Sequence, residues 1–344
     1  MPVLDLAALR ARHSNDAPHQ TFDPVFRKAM SLGFRSDDTR RLPYAEFTSL
    51  LGATLRPDAS LAELDVALIG VPMDLGVTNR AGARLGPRAM RAVERIGPFN
   101  HALRVTPMAE LRVADIGDVP FRSRFSLEQA HADIERFFAA ARAAGVRTLA
   151  AGGDHSITYP ILRALGEGQP LGLVHIDAHC DTSGIYEGSK FHHGGPFRQA
   201  VLDGVLDPTR VIQIGIRGPG EYLWEFSYES GMTVIHAEEI DALGMDAVIA
   251  RARAVVGDAP VYLSLDVDGI DPAFTPGTGT PEVGGLTPRE AQRLLRGLAG
   301  LRIAGGDVVE VAPQYDATTV TAQVGAQMLF EMLCLMAMPP NQTT

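Results

Sequence analysis

The sequence predicts an α/β protein: a single three-layer α/β/α domain around a mostly parallel sheet. Three observations carry this. Apolar runs rich in Val, Ile and Leu recur along the chain, such as DVALIGVPM (65–73), LGLVHIDAH (171–179) and PVYLSLDVDGID (260–271). Helix-patterned segments stand between most of them, such as SLEQAHADIERFFAAARAAG (126–145) and TPREAQRLLRGLAG (287–300). No linker or internal repeat interrupts the alternation. Near-continuous apolar strands alternating with helices belong to parallel sheets covered on both faces.

Residues 1–60 are mixed. LDLAALRAR has the pattern of a short amphipathic helix, and FDPVFRKAM and YAEFTSLLGATL follow a polar stretch. This segment is predicted to be an arm (1–60) that packs on the body or on a neighbouring subunit, with the main domain over 61–344. The first strand is expected in DVALIGVPM. GPRAMRAVERI (86–96) reads as a helix with Pro87 near its start, where a missing N–H is harmless. LRVADIGD (111–118) reads as a strand. The helix over 126–145 has Ser126 as N-cap, Gln129 at the capping-box position and Gly145 at its end. VRTLAAGGDHS (146–156) is a strand that becomes Gly-rich. Further strands are LGLVHIDAH, RVIQIGIRG (210–218), MTVIHAEEI (232–240), PVYLSLDVDGID and RIAGGDVVEVAP (302–313). Helices over DAVIARARAVVG (246–257), 287–300 and 317–337 complete the pattern.

Composition narrows the function. The chain has 344 residues, 46% of them hydrophobic, enough to bury a large core. Its formal net charge of −10 argues against a nucleic-acid groove and against an anionic membrane surface. Cys180 and Cys334 are the only cysteines, so a disulfide framework is excluded and a reducing, cytoplasmic location is expected. No stretch of 18 apolar residues occurs, and the N-terminus lacks the apolar centre of a signal peptide.

In open α/β sheets, ligands bind at the carboxyl ends of the strands. There the chain turns polar. GGDHS supplies Asp154 and His155, and HIDAHCD supplies Asp177, His179 and Asp181. SLDVDGID supplies Asp266, Asp268 and Asp271, and DVVEVAP supplies Glu310. KFHHGGPFR places His192 and His193 in a Gly-rich loop. Alternation along a strand would aim Asp177, His179 and Asp181 at one point and turn Cys180 to the opposite face. Asp177, Asp181, Asp266 and Asp268 would then bring four like charges together, which is costly unless cations fill the site. Mixed His and Asp donors suit divalent Mn, Ni, Fe or Zn better than Ca. Four carboxylates with two imidazoles exceed the needs of one ion and suit two ions sharing carboxylates.

The motifs GGDHS, DAHCD and SLDVDGIDPAFTPGTGTPEVGGLTPRE, with NRAGARLGPRAMR before and DVVEVAPQYD after, resemble those of the ureohydrolase (arginase/agmatinase) family over roughly residues 62–338. The resemblance implies an arginase-like fold and a two-manganese site, with nickel in some relatives. It implies hydrolysis of a guanidino group to an amine and urea. The implied ligands are His155, Asp177, Asp181 and Asp266 for one ion, and Asp177, His179, Asp266 and Asp268 for the other. Asp177 and Asp266 would bridge. Activated water would attack the guanidinium carbon, and Asp181 would pass a proton to the leaving amine. His193 would shuttle protons with solvent, and Glu310 would hold the guanidinium by charge-assisted hydrogen bonds. Asp271 would organise its loop, and Asp154 would support the ligands from behind. Trimers or hexamers of one chain are implied as well.

The loop SGIYEGSKFHHGGPFR resembles the agmatinase-like branch and looks most like its guanidinopropionase and guanidinobutyrase members. Candidate contacts to the substrate tail are Asn79, Arg80, Tyr186, Arg217, Tyr222 and Trp224. Arg80 and Arg217 favour a carboxylate tail. The expected substrate is therefore 3-guanidinopropionate or 4-guanidinobutyrate, with agmatine and guanidine or alkylguanidines as alternatives. A zinc deacetylase of the same architecture would leave His155, Asp181 and Asp268 unused. A non-catalytic subunit would be expected to carry a broken ligand set.

Overall fold

The computed structural model describes residues 3–14, 21–35, 39–42, 44–45, 47–94 and 96–340. Its strands are β1 (Thr54–Leu55), β2 (Val66–Gly70), β3 (Val113–Asp118), β4 (Arg147–Ala151) and β5 (Leu171–Ile176), followed by β6 (Leu206–Ile216), β7 (Thr233–His236), β8 (Val261–Asp266) and β9 (Ile303–Val309). They form one sheet in the order β1-β3-β2-β4-β9-β8-β5-β6-β7. Every pairing is parallel.

All residues of β2, β5 and β8 are buried, which is why these strands read as unbroken apolar runs. Their two faces feed different cores. Leu173 and Tyr262 pack with Phe138, Ile161 and Phe197, whereas Val174 and Leu263 pack with Leu294 and Leu329. The period of two along a strand separates the faces. Each fully buried Leu or Ile contributes roughly 2 kcal/mol. The covering helices start where capping chemistry allows. Ser126 accepts from the Gln129 N–H at the start of Leu127–Ala143, and Thr287 and Glu290 form a capping box on Pro288–Gly297. Helix Val320–Met336 is buried along most of its length, as its apolar sequence requires.

Three expectations are corrected. The helix at Gly86–Arg91 stops well short of residue 96. MTVIHAEEI is a strand only to His236, where a capping box with Glu239 starts the helix Ala237–Leu243. The sheet domain also begins before residue 61. Leu50 and Leu51 are buried, the Leu50 N–H donates to Asp115 Oδ2 at 2.8 Å, and β1 pairs with β3. A strand of two residues is too short to show any period. The two described helices of the arm bury little. Helix Leu6–His13 buries no residue and Pro24–Ser31 buries only Ala29. The latter meets the body through an edge contact of Phe26 with Phe99 and the ion pair Lys28–Glu110. Parts of the arm, at 1–2, 15–20, 36–38, 43 and 46, lie outside the described residues. No described helix is long and apolar enough to cross a membrane.

One consequence of strand order matters for function. β4, β9, β8 and β5 are consecutive neighbours at the centre of the sheet. Being parallel, they deliver their carboxyl ends to one edge.

Candidate metal centre and active site

Each central strand ends at a donor. β4 runs through Gly152 and Gly153 to Asp154 and His155; Asp177 follows β5; Asp266 closes β8; Glu310 follows β9. Contrary to expectation, strand alternation does not aim Asp177, His179 and Asp181 at one point, because β5 has already ended at Ile176. The loop is curled instead. Asp177 Oδ1 accepts from the His179 N–H at 2.7 Å, and Asp181 sits at φ 53°. Asp268 likewise lies in a tight turn, its N–H donating to Asp266 Oδ1 at 2.8 Å. A Cβ at Gly269 would fall 2.8 Å from Asp177 N and Cα, so glycine lets these two loops touch.

The donors converge. His155 Nδ1 lies 3.0 Å from Asp177 Oδ2, 2.9 Å from Asp181 Oδ2 and 3.3 Å from Asp266 Oδ2. It nevertheless makes no aligned hydrogen bond. These atoms face a common point rather than one another. His179 Nδ1 lies 3.2 Å from Asp268 Oδ2 and 3.5 Å from Asp177 Oδ1. Asp177 thus belongs to both groups. Burial and the charges of Asp268 and Asp177 push the Asp266 carboxyl well above its ordinary range. Burial pushes Asp268 up to about 6 against the pull of His179. Buried acids in such surplus fit divalent cations, and the overlap at Asp177 fits two of them.

Glu310 is buried beside this cluster. Its Oε1 accepts from the His155 N–H at 2.9 Å and lies 2.8 Å from His193 Nδ1. Its Oε2 is buried with no partner, and a Cβ placed on Gly279 would come within 3.7 Å of it. His193 Nε2 lies 2.7 Å from Thr78 Oγ1. Burial disfavours the imidazolium of His193, but the Glu310 charge outweighs it and raises the pKa to about 9. Asp154 Oδ2 accepts from the Gly76 N–H and Oδ1 from the Ser156 N–H. Burial and the Glu310 charge push Asp154 up to about 7. Asp271 accepts from the N–H groups of Ala273, Gly284 and Gly285, a loop-organising arrangement.

The candidate tail contacts fare differently. Arg217 is corrected: its guanidinium donates to the carbonyls of Gly215, Asp268, Gly269, Glu282 and Val283. It clamps loops and is not free to meet a carboxylate. Arg80 donates to Thr278 O and Gly279 O and lies over the Tyr315 ring. Asn79 donates to Gly279 O. Tyr186 is half exposed, with its ring 5.8 Å from that of His192, and Tyr222 is exposed. Trp224 packs on His236. His192 lies 2.7 Å from Gly184 O and does not join the donors. Cys180 is buried, and burial pushes its thiol up to about 12.

Sequence reasoning missed the supports. His155 Nε2 meets Ser264 Oγ at 2.8 Å, and Ser264 donates to Asp307 Oδ1 at 2.7 Å. Asp307 also accepts from Thr158 and Tyr262. An acid inside the apolar strand IAGGDVV was a readable signal; its partners, far away in the chain, were not. His175, Gln213, Thr78 and Thr280 were likewise unassigned, and Thr280 donates to Asp268 Oδ2 at 3.1 Å.

A parallel α/β sheet ending in overlapping clusters of buried carboxylates and imidazoles defines a metal-dependent hydrolase. The chain belongs to the arginase family, whose family model matches residues 64–334. It is an arginase-family ureohydrolase. Guanidinopropionase of Pseudomonas aeruginosa is 51% identical over 282 residues, covering 80% of this chain and 88% of that protein. The mitochondrial agmatinase of Gallus gallus is 47% identical over 281 residues, covering 79% and 81%. Among solved structures, proclavaminate amidino hydrolase from Streptomyces clavuligerus superposes with a TM-score of 0.82 at 36% identity, over 86% of this chain and 99% of that one. Trypanosoma cruzi formiminoglutamase with two Mn2+ superposes with a TM-score of 0.75 at 25% identity, over 86% and 100%.

Proposed function

We propose that this enzyme hydrolyses a guanidino acid, 3-guanidinopropionate or 4-guanidinobutyrate, to the corresponding amino acid and urea. Water adds at the guanidinium carbon, the bond from that carbon to the substituted nitrogen breaks, and the nitrogen leaves protonated. The observation that carries the reaction is the pairing of convergent, cation-poor donors with the unpartnered buried Oε2 of Glu310.

His155, Asp177, Asp181 and Asp266 would hold one divalent ion, and Asp177, His179, Asp266 and Asp268 the other. Such ions, when bound, supply Lewis-acid activation of water at neutral pH. Manganese is supported by the formiminoglutamase structure. Glu310 Oε2 receives guanidinium N–H groups in a charge-assisted contact, which orients the carbon. Asp181 takes a proton and delivers it to the leaving nitrogen. His193 exchanges protons toward solvent through its Nε2, which accepts from the Thr78 N–H at 3.2 Å and lies 2.7 Å from Thr78 Oγ1. Asp154 and the Ser264–Asp307 relay hold the site from behind.

The carboxylate tail is supported by the 51% identity to guanidinopropionase, no longer by Arg80 and Arg217. Their commitment to carbonyls, with the 47% identity to an agmatinase, favours agmatine as the second reading. Urea release from both guanidino acids, agmatine, arginine, guanidine and methylguanidines, after loading with Mn or Ni, tests this. The expected result is the highest kcat/KM on a guanidino acid. A higher value on agmatine, or on guanidine, overturns the substrate assignment.

A further inference from the structure

We infer that His175 and Gln213 form a positioning pair that sets the rotation of the Asp177 carboxylate, and that His175 is not itself a metal ligand. This rests on the two-ion reading above. His175 lies on β5, fully buried, with Nε2 2.7 Å from Asp177 Oδ2 and its ring against Phe197 and His155. By proximity alone, His155, His175 and Asp177 could hold an ion together. The hydrogen bonds argue otherwise.

Gln213 is the register partner of His175 on β6. Its Nε2 lies 3.1 Å from His175 Nδ1 and 2.6 Å from Cys180 O. Turning the amide over would set Oε1 against the Cys180 carbonyl, two acceptors in contact, so the nitrogen must face both. An amide nitrogen only donates. His175 Nδ1 therefore accepts, and the ring proton sits on Nε2, where it donates to Asp177 Oδ2. Neither ring nitrogen has a lone pair left for an ion.

The pair holds two parts of the site at once. Asp177 Oδ1 is fixed by the His179 N–H and Oδ2 by His175, so the carboxylate cannot rotate. Gln213 ties this unit to the Cys180 carbonyl, in the turn that carries Asp181. A carboxylate serving two ions needs both oxygens aimed at once, and outer hydrogen bonds of this kind typically set metal affinity within a factor of roughly 10 to 100.

The test uses the full chain and three variants: His175→Phe, His175→Gln and Gln213→Leu. Each is read by metal content per subunit after dialysis, by Mn2+ affinity in competition with a chromogenic chelator, and by the melting temperature of the metal-free protein. The glutamine at 175 keeps a donor near the place of Nε2. His175→Phe is expected to weaken Mn2+ binding roughly 10- to 100-fold. His175→Gln should recover most of that loss, Gln213→Leu should fall between, and metal-free melting should stay near wild type. His175→Phe with wild-type Mn2+ affinity overturns the inference. So does the outright loss of one ion in both 175 variants, the signature of a ligand. If His175→Phe does not fold, His175→Gln and Gln213→Leu decide by the same criteria. Fewer than two ions on the wild-type protein would instead overturn the two-ion reading itself.

Discussion

Two of the places where the molecule buries carboxylates do so in opposite ways. On helix Val320–Met336, Glu331 is fully buried and accepts from Arg296 at 2.6 and 2.9 Å. Asn100, Gln292 and Gln327 complete its shell. Its charge is matched and its oxygens are satisfied. At the strand ends, Asp177, Asp181, Asp266 and Asp268 share His155 and His179, and burial with mutual repulsion pushes Asp266 and Asp268 upward. A buried acid with its own arginine belongs to the architecture. A surplus of buried acid belongs to chemistry that brings cations from solution.

The sharpest way to break this comparison is to exchange the outcomes. Asp268→Asn should lower urea release by at least ~100-fold, beyond what removing an outer support costs. Its metal-free stability should hold or rise, because a repelling charge is gone. Wild-type turnover under limiting metal would break the comparison outright. Glu331→Ala should do the reverse. It strands Arg296, which is partly buried, and should cost about 2–3 kcal/mol in denaturant unfolding while the folded fraction keeps its turnover. A loss of specific activity without loss of stability would show that Glu331 serves the site.

The pH profile separates the regions more gently. Asp268 at about 6 and Asp154 at about 7 lie above the ~4 of an unfolded aspartate, so the folded state holds their protons more tightly. The stability they lend is whole below pH ~4 and is lost as pH rises through 6 to 7. His193, at about 9, loses its share between ~6.5 and 9. The metal-free protein should therefore melt at a lower temperature at pH 8 than at pH 5, and added Mn2+ should raise the melting temperature more at pH 8. A flat metal-free profile would mean that these groups are not strained without ions. The smallest effect is expected at the surface. Arg112 hydrogen-bonds Asp65 and holds it down at about 2, yet the pair is exposed. Asp65→Asn should cost under ~1 kcal/mol, and less in high salt.

Much of the site was readable because each donor closes its own short motif. GGDHS, HIDAHCD, SLDVDGID and DVVEVAP each announce a strand end. In HIDAHCD the local alternation is an incomplete guide. The strand ends at Ile176, and the convergence of the next donors comes from the curl at Asp177 and Asp181. Arg217 shows the opposite failure. A cation in a loop near the site invites a substrate contact, and nothing in the chain nearby reveals that carbonyls as far away as Val283 already occupy it.

By itself the sequence determined the sheet class, the strand ends and the residue types offered there. Those depend on alternation, capping and motifs only a few residues long. Only the tertiary structure decided which motifs become neighbours: β4, β9, β8 and β5 lie side by side although the chain visits them far apart. It also decided that Glu310, 155 positions beyond His155, accepts the His155 N–H, and that Gln213 faces His175. Hydrogen bonds and charge repulsion act within a few ångströms of space and are indifferent to separation along the chain. The partners that orient the ligands therefore could not be read until the strands were in register.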